Sequence, residues 1–227
     1  CSSRSKAQKL VSEKKVTVNG KVEKSSYILQ IGDDLQVLLP EKPDKELIPY
    51  DFPLTVEYED EDVIVINKPG GLVVHPSYGH ESDTLINALL HRKTQLSPGS
   101  DDFRPGLVHR IDKGTSGLLV LAKDKESHEH LAKQFKRKST HRKYWALCFS
   151  HSPLEEGTID TFIARDPRNR QRFKVNDKDE GKHAITHYKT LFKNPPFQLF
   201  ELKLETGRTH QIRVHLSSRS NPIVGDD

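Results

Sequence analysis

The segment His109-Arg110-Ile111-Asp112-Lys113-Gly114-Thr115-Ser116-Gly117-Leu118-Leu119-Val120-Leu121-Ala122-Lys123 constrains the fold more than any other part of the chain. Gly117 to Ala122 is apolar enough to be a buried strand, and the small residues just before it form a turn. The turn leaves one carboxylate, Asp112, between the cations Arg110 and Lys113. If the residues before the turn are extended, the two-residue period points Arg110 and Asp112 to the same face. A carboxylate beside a guanidinium stays ionised and can act as a nucleophile. The same residues also describe a turn closed by an ordinary salt bridge, and structural ion pairs outnumber catalytic ones.

Charge distribution narrows the class of partner. The 227 residues carry a net charge of only +4, with a pI of about 8.9. Lys123 to Lys143, however, holds eight Lys/Arg against three acids, and Arg165 to Lys174 holds five against Asp166, whereas Glu57 to Asp62 is acidic. Clustered positive charge suits a polyanion such as RNA, whose phosphates it neutralises with release of counterions. The ordinary fate of a charge run, a solvated helix face, accounts for the same clusters. With only Cys1 and Cys148, neither a disulfide framework nor a zinc site is indicated. Of the twelve His, the closest pair, His128 and His130, would point to different faces of a helix, so no metal is expected. Without an apolar run of membrane-spanning length or a signal peptide, a soluble, cytoplasmic setting is the expectation.

Local patterns give the order of elements. Arg4 to Glu13 reads as a short basic helix. Asn19-Gly20 between Val16 and Val22 signals a hairpin, and Gly32-Asp33-Asp34 a turn into a strand from Leu35 to Leu39. Pro40 to Pro53 has four prolines and alternating charges, the composition of a semi-rigid linker. Beyond it, strands are predicted at 63–66, 117–122, 144–148, 184–191 and 197–205. Helices are predicted at 84–91 and 126–138, the second turning Leu131 and Phe135 to the core. Mostly adjacent strands with few helices argue for an α+β fold with a mixed, largely antiparallel central sheet and flanking helices. The expected domains are 1–40, a linker at 41–54, and 55–227.

The His109–Lys123 segment resembles the signature of the RluA/RluD-type pseudouridine synthases: His-Arg-Leu-Asp, two variable residues, Thr-Ser/Thr-Gly, then an apolar strand closing in Ala-Lys. Ile111 stands in place of Leu, and Gly114 takes a variable position. Further blocks resembling the family follow its order: Asn67 to Pro76, Lys143 to Leu147, Gly181 to Thr186, and Thr206 to Leu216. Together they span nearly everything from Val56 onward. Residues 1–40 resemble the latter part of a small RNA-binding module first known from a ribosomal small-subunit protein, without its first helix. A chain that begins on Cys, lacks Met and stops at Asp227, where the family continues, is expected to be a fragment missing the carboxy-terminal part of the catalytic domain.

The resemblance implies a fold, the pseudouridine synthase fold with an RNA cleft across its sheet, and a reaction. That reaction detaches uracil from ribose, rotates it and rejoins it through carbon 5, with no cofactor. It implies Asp112 as the essential carboxylate. Asp112 attacks ribose carbon 1, attacks carbon 6 of the base, or removes a ribose proton, and the sequence does not separate these. Tyr144 matches the cleft tyrosine, able to stack on the flipped base or pass the carbon 5 proton through its hydroxyl. Arg213 matches the arginine that pairs with the carboxylate, where a bidentate fork would aim it as Lys cannot. Arg110 is assigned to holding the extruded strand. Arg208 is assigned to a phosphate at the strand-to-helix turn that Thr209 would cap, and Lys68 and His75 to lining the cleft.

The resulting expectation is an RNA pseudouridine synthase, a monomer without membrane attachment, acting on large-subunit ribosomal RNA, free or in an assembling subunit. Two alternatives fit less of the sequence. A non-catalytic RNA-binding or ribosome-assembly factor explains the basic clusters but not the joint presence of Asp112, Tyr144 and Arg213. A transfer-RNA synthase of the same family gives no reason for the amino-terminal module. A third class, a His-dependent metal hydrolase, lacks the ligand spacing.

Overall fold

The computed structural model describes residues 4–39, 46–99, 103–169, 172–176 and 180–226. The chain divides into two compact units, residues 1–46 and 47–227.

In the first unit, helix α1 (Arg4–Ser12) precedes three short antiparallel strands, β1 (Val16–Val18), β2 (Lys21–Val22) and β3 (Leu35–Val37), in the order β2-β1-β3. Asn19 and Gly20 take positive φ of 50° and 76°, the two-residue hairpin that the Asn-Gly pair predicts. Leu10 and Val18 are the buried apolar residues described here, so polar contacts carry much of the unit. Asp33 accepts hydrogen bonds from Asn19 Nδ2 (2.7 Å), the Gln30 N–H (2.8 Å) and the Tyr27 hydroxyl (3.2 Å), and Asn19 Oδ1 accepts from the Asp34 N–H.

The second unit begins with a surprise for the linker reading. Residues 40–45 lie outside those described, but Leu47, Tyr50, Phe52 and Leu54 pack against the core. Buried Asn87 donates to the Ile48 carbonyl (2.7 Å), and the Tyr50 N–H donates to the Asn87 carbonyl (3.0 Å). Their apolar spacing overrides the prolines: 47–54 is a strap, and the expected linker shortens accordingly.

Two antiparallel sheets follow. The smaller runs β4-β5-β6, from β4 (Thr55–Glu59), β5 (Val63–Lys68) and β6 (Gly117–Ala122). Ile64, Ile66, Leu119 and Leu121 alternate inward onto α2 (Leu85–His91), whose Leu85, Ile86 and Leu89 complete the core. Helix α3 (Lys125–Arg137) starts where Asp124 caps the N–H groups of Glu126 and Ser127. It buries no residue fully. Its apolar stripe meets the rest through Phe135, which stacks on the His109 ring at 4.4 Å and 17°.

The larger sheet, in the order β7-β11-β10-β8-β9, comprises β7 (Lys143–Phe149), β8 (Glu156–Arg165), β9 (Phe173–Asn176), β10 (Lys182–Asn194) and β11 (Phe197–Leu204). Ala146, Cys148, Phe200 and Leu202 form its core with Leu216 of α4 (Gln211–Ser218). The α+β class and antiparallel pairing match expectation. The expected single central sheet is instead two, because all named strand pairs fall within one sheet or the other. Among the described residues, no helix is long and apolar enough to cross a membrane.

Gly106 fixes the approach to the Asp112 segment. At φ +70° it donates to the Ser97 carbonyl and accepts from the Ala122 N–H (both 2.9 Å), and an added Cβ would lie 2.8 Å from the Ala122 carbonyl oxygen. Gly106→Ala is therefore expected to cost at least about 2 kcal/mol, read as a lower denaturant midpoint with unchanged slope.

Candidate active site

A cavity of about 480 Å³ brings together Arg110, Asp112, Tyr144, Arg208 and Arg213, with Arg142 among its other walls. They come from the loop before β6, the start of β7, and the turn into α4. A neighbourhood with one carboxylate, one phenol and four guanidinium groups attracts a polyanion and holds a reacting carboxylate within reach of it.

The Asp112 loop is held from beneath. β5 pairs with β6 so that Lys68 lies opposite Gly117. The side chain of Lys68 is fully buried, and Nζ donates to the carbonyls of Pro69 (2.8 Å), Leu72 (2.9 Å) and Lys113 (3.1 Å). Three donors meet three acceptors, so the ammonium is saturated. The Gly71 N–H adds a 2.8 Å bond to the same Lys113 carbonyl, and a Cβ on Gly70 would stand 3.2 Å from the Gly114 oxygen. Burial brings the Lys68 pKa down to about 8, against the opposing pull of Asp112. Lys68 is thus a buttress rather than the cleft-lining cation expected. His75, 6% exposed and absent from the cavity wall, is likewise buried among the core elements.

His109 also supports rather than reacts. Its Nε2 accepts from the Val120 N–H (3.1 Å), and burial followed by the Arg142 charge takes its pKa down to about 4. Arg142, which no sequence signal singled out from its basic cluster, lies over the Phe135 ring at 5.7 Å, and its charge acts on the Tyr144 hydroxyl. Burial raises the Tyr144 pKa, with Arg142 opposing.

The turn into α4 departs from expectation at its cap. His210, at φ 55°, takes the cap position instead of Thr209. The Arg208 N–H donates to Gln211 Oε1 (2.9 Å), so the side chain closes the turn, and Arg208 Nε donates to the His183 carbonyl (2.8 Å). Gln211 also accepts from the Thr206 hydroxyl and donates to Thr186 Oγ1 and the Ile185 carbonyl. Fully buried His215 hydrogen-bonds Thr161 Oγ1 of β8 (3.1 Å) and Thr186 Oγ1 of β10 (2.9 Å). This network pins α4 to the large sheet.

The Arg213 Nε meets Asp226 at 2.6 and 2.9 Å. Asp226 was not foreseen. Neither was His210, whose pKa is lowered first by burial, while the charges of Asp112 and Asp226 oppose those of Arg213 and Arg110. These five groups form one electrostatic cluster, visible only once α4 lies beside the Asp112 loop.

Two measurements check this framework. Lys68→Met removes the ammonium at similar volume and takes a donor from three carbonyls, of which, among the described residues, only that of Lys113 keeps another, from the Gly71 N–H. It is expected to cost about 3–5 kcal/mol, seen by calorimetry as a lower Tm. His215, near 4 folded against 6.5 for the free ring, is neutral in the native state. The unfolded chain therefore takes up the proton first as pH falls. The stability this group contributes is complete above pH 6.5 and declines toward pH 4, by about 3 kcal/mol. His109 acts in the same direction. Unfolding free energies between pH 7 and 4 should show that slope, and His215→Asn should flatten it.

Comparison with known proteins identifies the family and the amino-terminal domain. Residues 62–218 match the family model described as RNA pseudouridylate synthase, and residues 1–35 match the S4 domain, the amino-terminal module the sequence suggested. The chain is 44% identical over 224 residues to an uncharacterised RNA pseudouridine synthase, YlyB, of Bacillus subtilis (strain 168), covering 99% of this chain and 73% of that one. It is 47% identical over 179 residues to ribosomal large subunit pseudouridine synthase D of Zymomonas mobilis subsp. mobilis, covering 78% of this chain and 56% of that one. Human RNA pseudouridylate synthase domain containing 1 superposes with a TM-score of 0.62 at 27% identity, over 77% of this chain and 68% of that one. Match and architecture together place the chain in the RNA pseudouridylate synthase family, whose members are isomerases.

Proposed function

We propose that this protein converts specific uridines of large-subunit ribosomal RNA to pseudouridine, with Asp112 as the essential carboxylate. The observation that carries the proposal is the joint lining of one 480 Å³ cavity by Asp112, Tyr144, Arg110, Arg208 and Arg213. That volume suits an extruded nucleotide. The substrate class is supported by the Zymomonas relative's name and by the S4 domain match.

The isomerisation breaks the bond from ribose carbon 1 to ring nitrogen, turns the uracil, forms a bond to carbon 5 and loses the carbon 5 proton, while the freed ring nitrogen takes up a proton. Arg110, exposed at the cavity, takes the place vacated by the everted base or grips its phosphate. Asp112 approaches the ribose or the base, by any of the three routes above. Arg213, expected to pair with Asp112, is held at Nε by Asp226 and lines the same cavity as Asp112, where its charge favours the ionised carboxylate. Tyr144, on the wall of the same cavity, stacks on the freed ring, and its hydroxyl, beside the Arg142 charge, takes the proton from carbon 5. Arg208, anchored through Nε to the His183 carbonyl, presents the rest of its guanidinium to the RNA backbone. The reaction is assigned to a monomer in the cytoplasm and to large-subunit ribosomal RNA, free or in an assembling subunit.

The test uses the full-length protein and ribosomal RNA tritiated at uridine carbon 5, since carbon 5 bond formation releases tritium. Asp112→Asn should keep RNA binding within a few-fold and lose turnover by roughly 10³-fold or more. Arg213→Lys should lose nearly as much. Tyr144→Phe should lose turnover if the hydroxyl moves the proton and retain it if the ring only stacks. Substantial tritium release by Asp112→Asn would refute the assignment.

A further inference from the structure

A second cavity, of about 210 Å³, lies between β9 and α4, with Arg172, Phe173, His210, Arg213, Ser217 and Asp226 among its walls. Arg213 lines both cavities, and His210 belongs with it to the electrostatic cluster around Asp112. Phe173 opens β9 and pairs in register with Arg165 of β8. The Arg165 guanidinium lies over the Phe173 ring, 5.2 Å from its centroid. His210 meets that ring edge-on at 5.6 Å and 81°. The aromatic ring therefore stands between two cation-bearing strands and the helix that carries the site.

The charges are divided in a consistent way. Asp226 is paired with Arg213 on the α4 side, and Asp166 is engaged by the Arg168 N–H (3.0 Å) and by Lys174 Nζ (3.8 Å). Exposed Arg172, with Arg165 nearby, leaves the β9 side positive. A recess with an aromatic platform on one side and guanidinium groups at its mouth has the chemistry of a single-stranded nucleic-acid subsite: base on ring, phosphate on cations. It falls below the roughly 300–1,000 Å³ typical of pockets for larger ligands, and suits one nucleotide unit.

We propose that this recess receives the nucleotide next to the target uridine, its base stacking on Phe173 and its phosphate meeting Arg172 and Arg165. The assignment rests on the functional reading above. A strand that presents one nucleotide to Asp112 has its neighbour beside Arg213, which lines both cavities. Occupancy there holds the backbone while the target is everted. Stacking on a phenyl ring tolerates any base, so the subsite contributes grip rather than sequence choice.

The experiment compares full-length wild type, Phe173→Ala, Phe173→Trp and Arg172→Ala by tritium release from deproteinised large-subunit ribosomal RNA, with Tm recorded for each. Phe173→Ala should raise KM about fivefold or more while kcat moves less than twofold, and Phe173→Trp should restore KM. Arg172→Ala, an exposed change that leaves the packing alone, should weaken RNA binding and make it less salt-dependent. Wild-type KM in both Phe173→Ala and Arg172→Ala would overturn the subsite while the enzyme assignment stands. So would a Phe173→Ala loss confined to kcat that Phe173→Trp fails to rescue. Absence of tritium release by the wild type would overturn the functional reading, and the subsite with it.

Discussion

The ammonium of Lys68 is the constraint on which the site depends. Placing a cation in the interior is costly, and this one is tolerated because three carbonyl oxygens replace its water. Two of those carbonyls belong to its own loop and the third to Lys113, immediately after Asp112. The charge thus ties the end of β5 to the loop before β6, and the position of Asp112 becomes a property of the small sheet's core. Ile64 and Ile66, buried on the same strand, fix β5 and with it the place where the ammonium must sit.

The other half of the site is organised by neutral polar groups. Gln211 and His215 satisfy one another's neighbours through Thr186, so α4 is attached to β8 and β10 at a defined rotation. That rotation presents Arg213 and His210 to the Asp112 side while Leu216 faces the sheet. A helix held by apolar contacts alone would slide more easily, whereas a buried hydrogen-bond network has one satisfied arrangement. Burial keeps both His109 and His215 neutral, so neither adds to the guanidinium charge already crowding the cavity.

Much of this was legible in the sequence where the signal is local. The Asn19-Gly20 hairpin, the apolar run of β6 and, to within a residue at each end, the helix expected at 126–138 follow from turn chemistry and periodicity. β4 was hidden by the acids from Glu57 to Asp62, which line an exposed face, and β9 by the basic run around it. Division into two sheets depends on partner choice over long separations, which no window of sequence contains. Among the site residues, Asp112, Tyr144, Arg110, Arg208 and Arg213 were found through motif resemblance and share a cavity. Lys68 was placed in the cleft because a lysine reads as surface by default, and His75 because it followed in the same block. Arg142, His210 and Asp226 went unnoticed because their significance arises from tertiary approach, not spacing.

The anchoring of the Asp112 loop has a consequence for sequence drift. Both partners that grip it, Lys68 Nζ and the Gly71 amide, hold the carbonyl of Lys113, an atom every amino acid possesses. Gly70 approaches the oxygen of Gly114 in the same fashion. Side chains at 113 and 114 can therefore be exchanged without loosening the grip. This explains why a signature so strict at its aspartate leaves the next two places open.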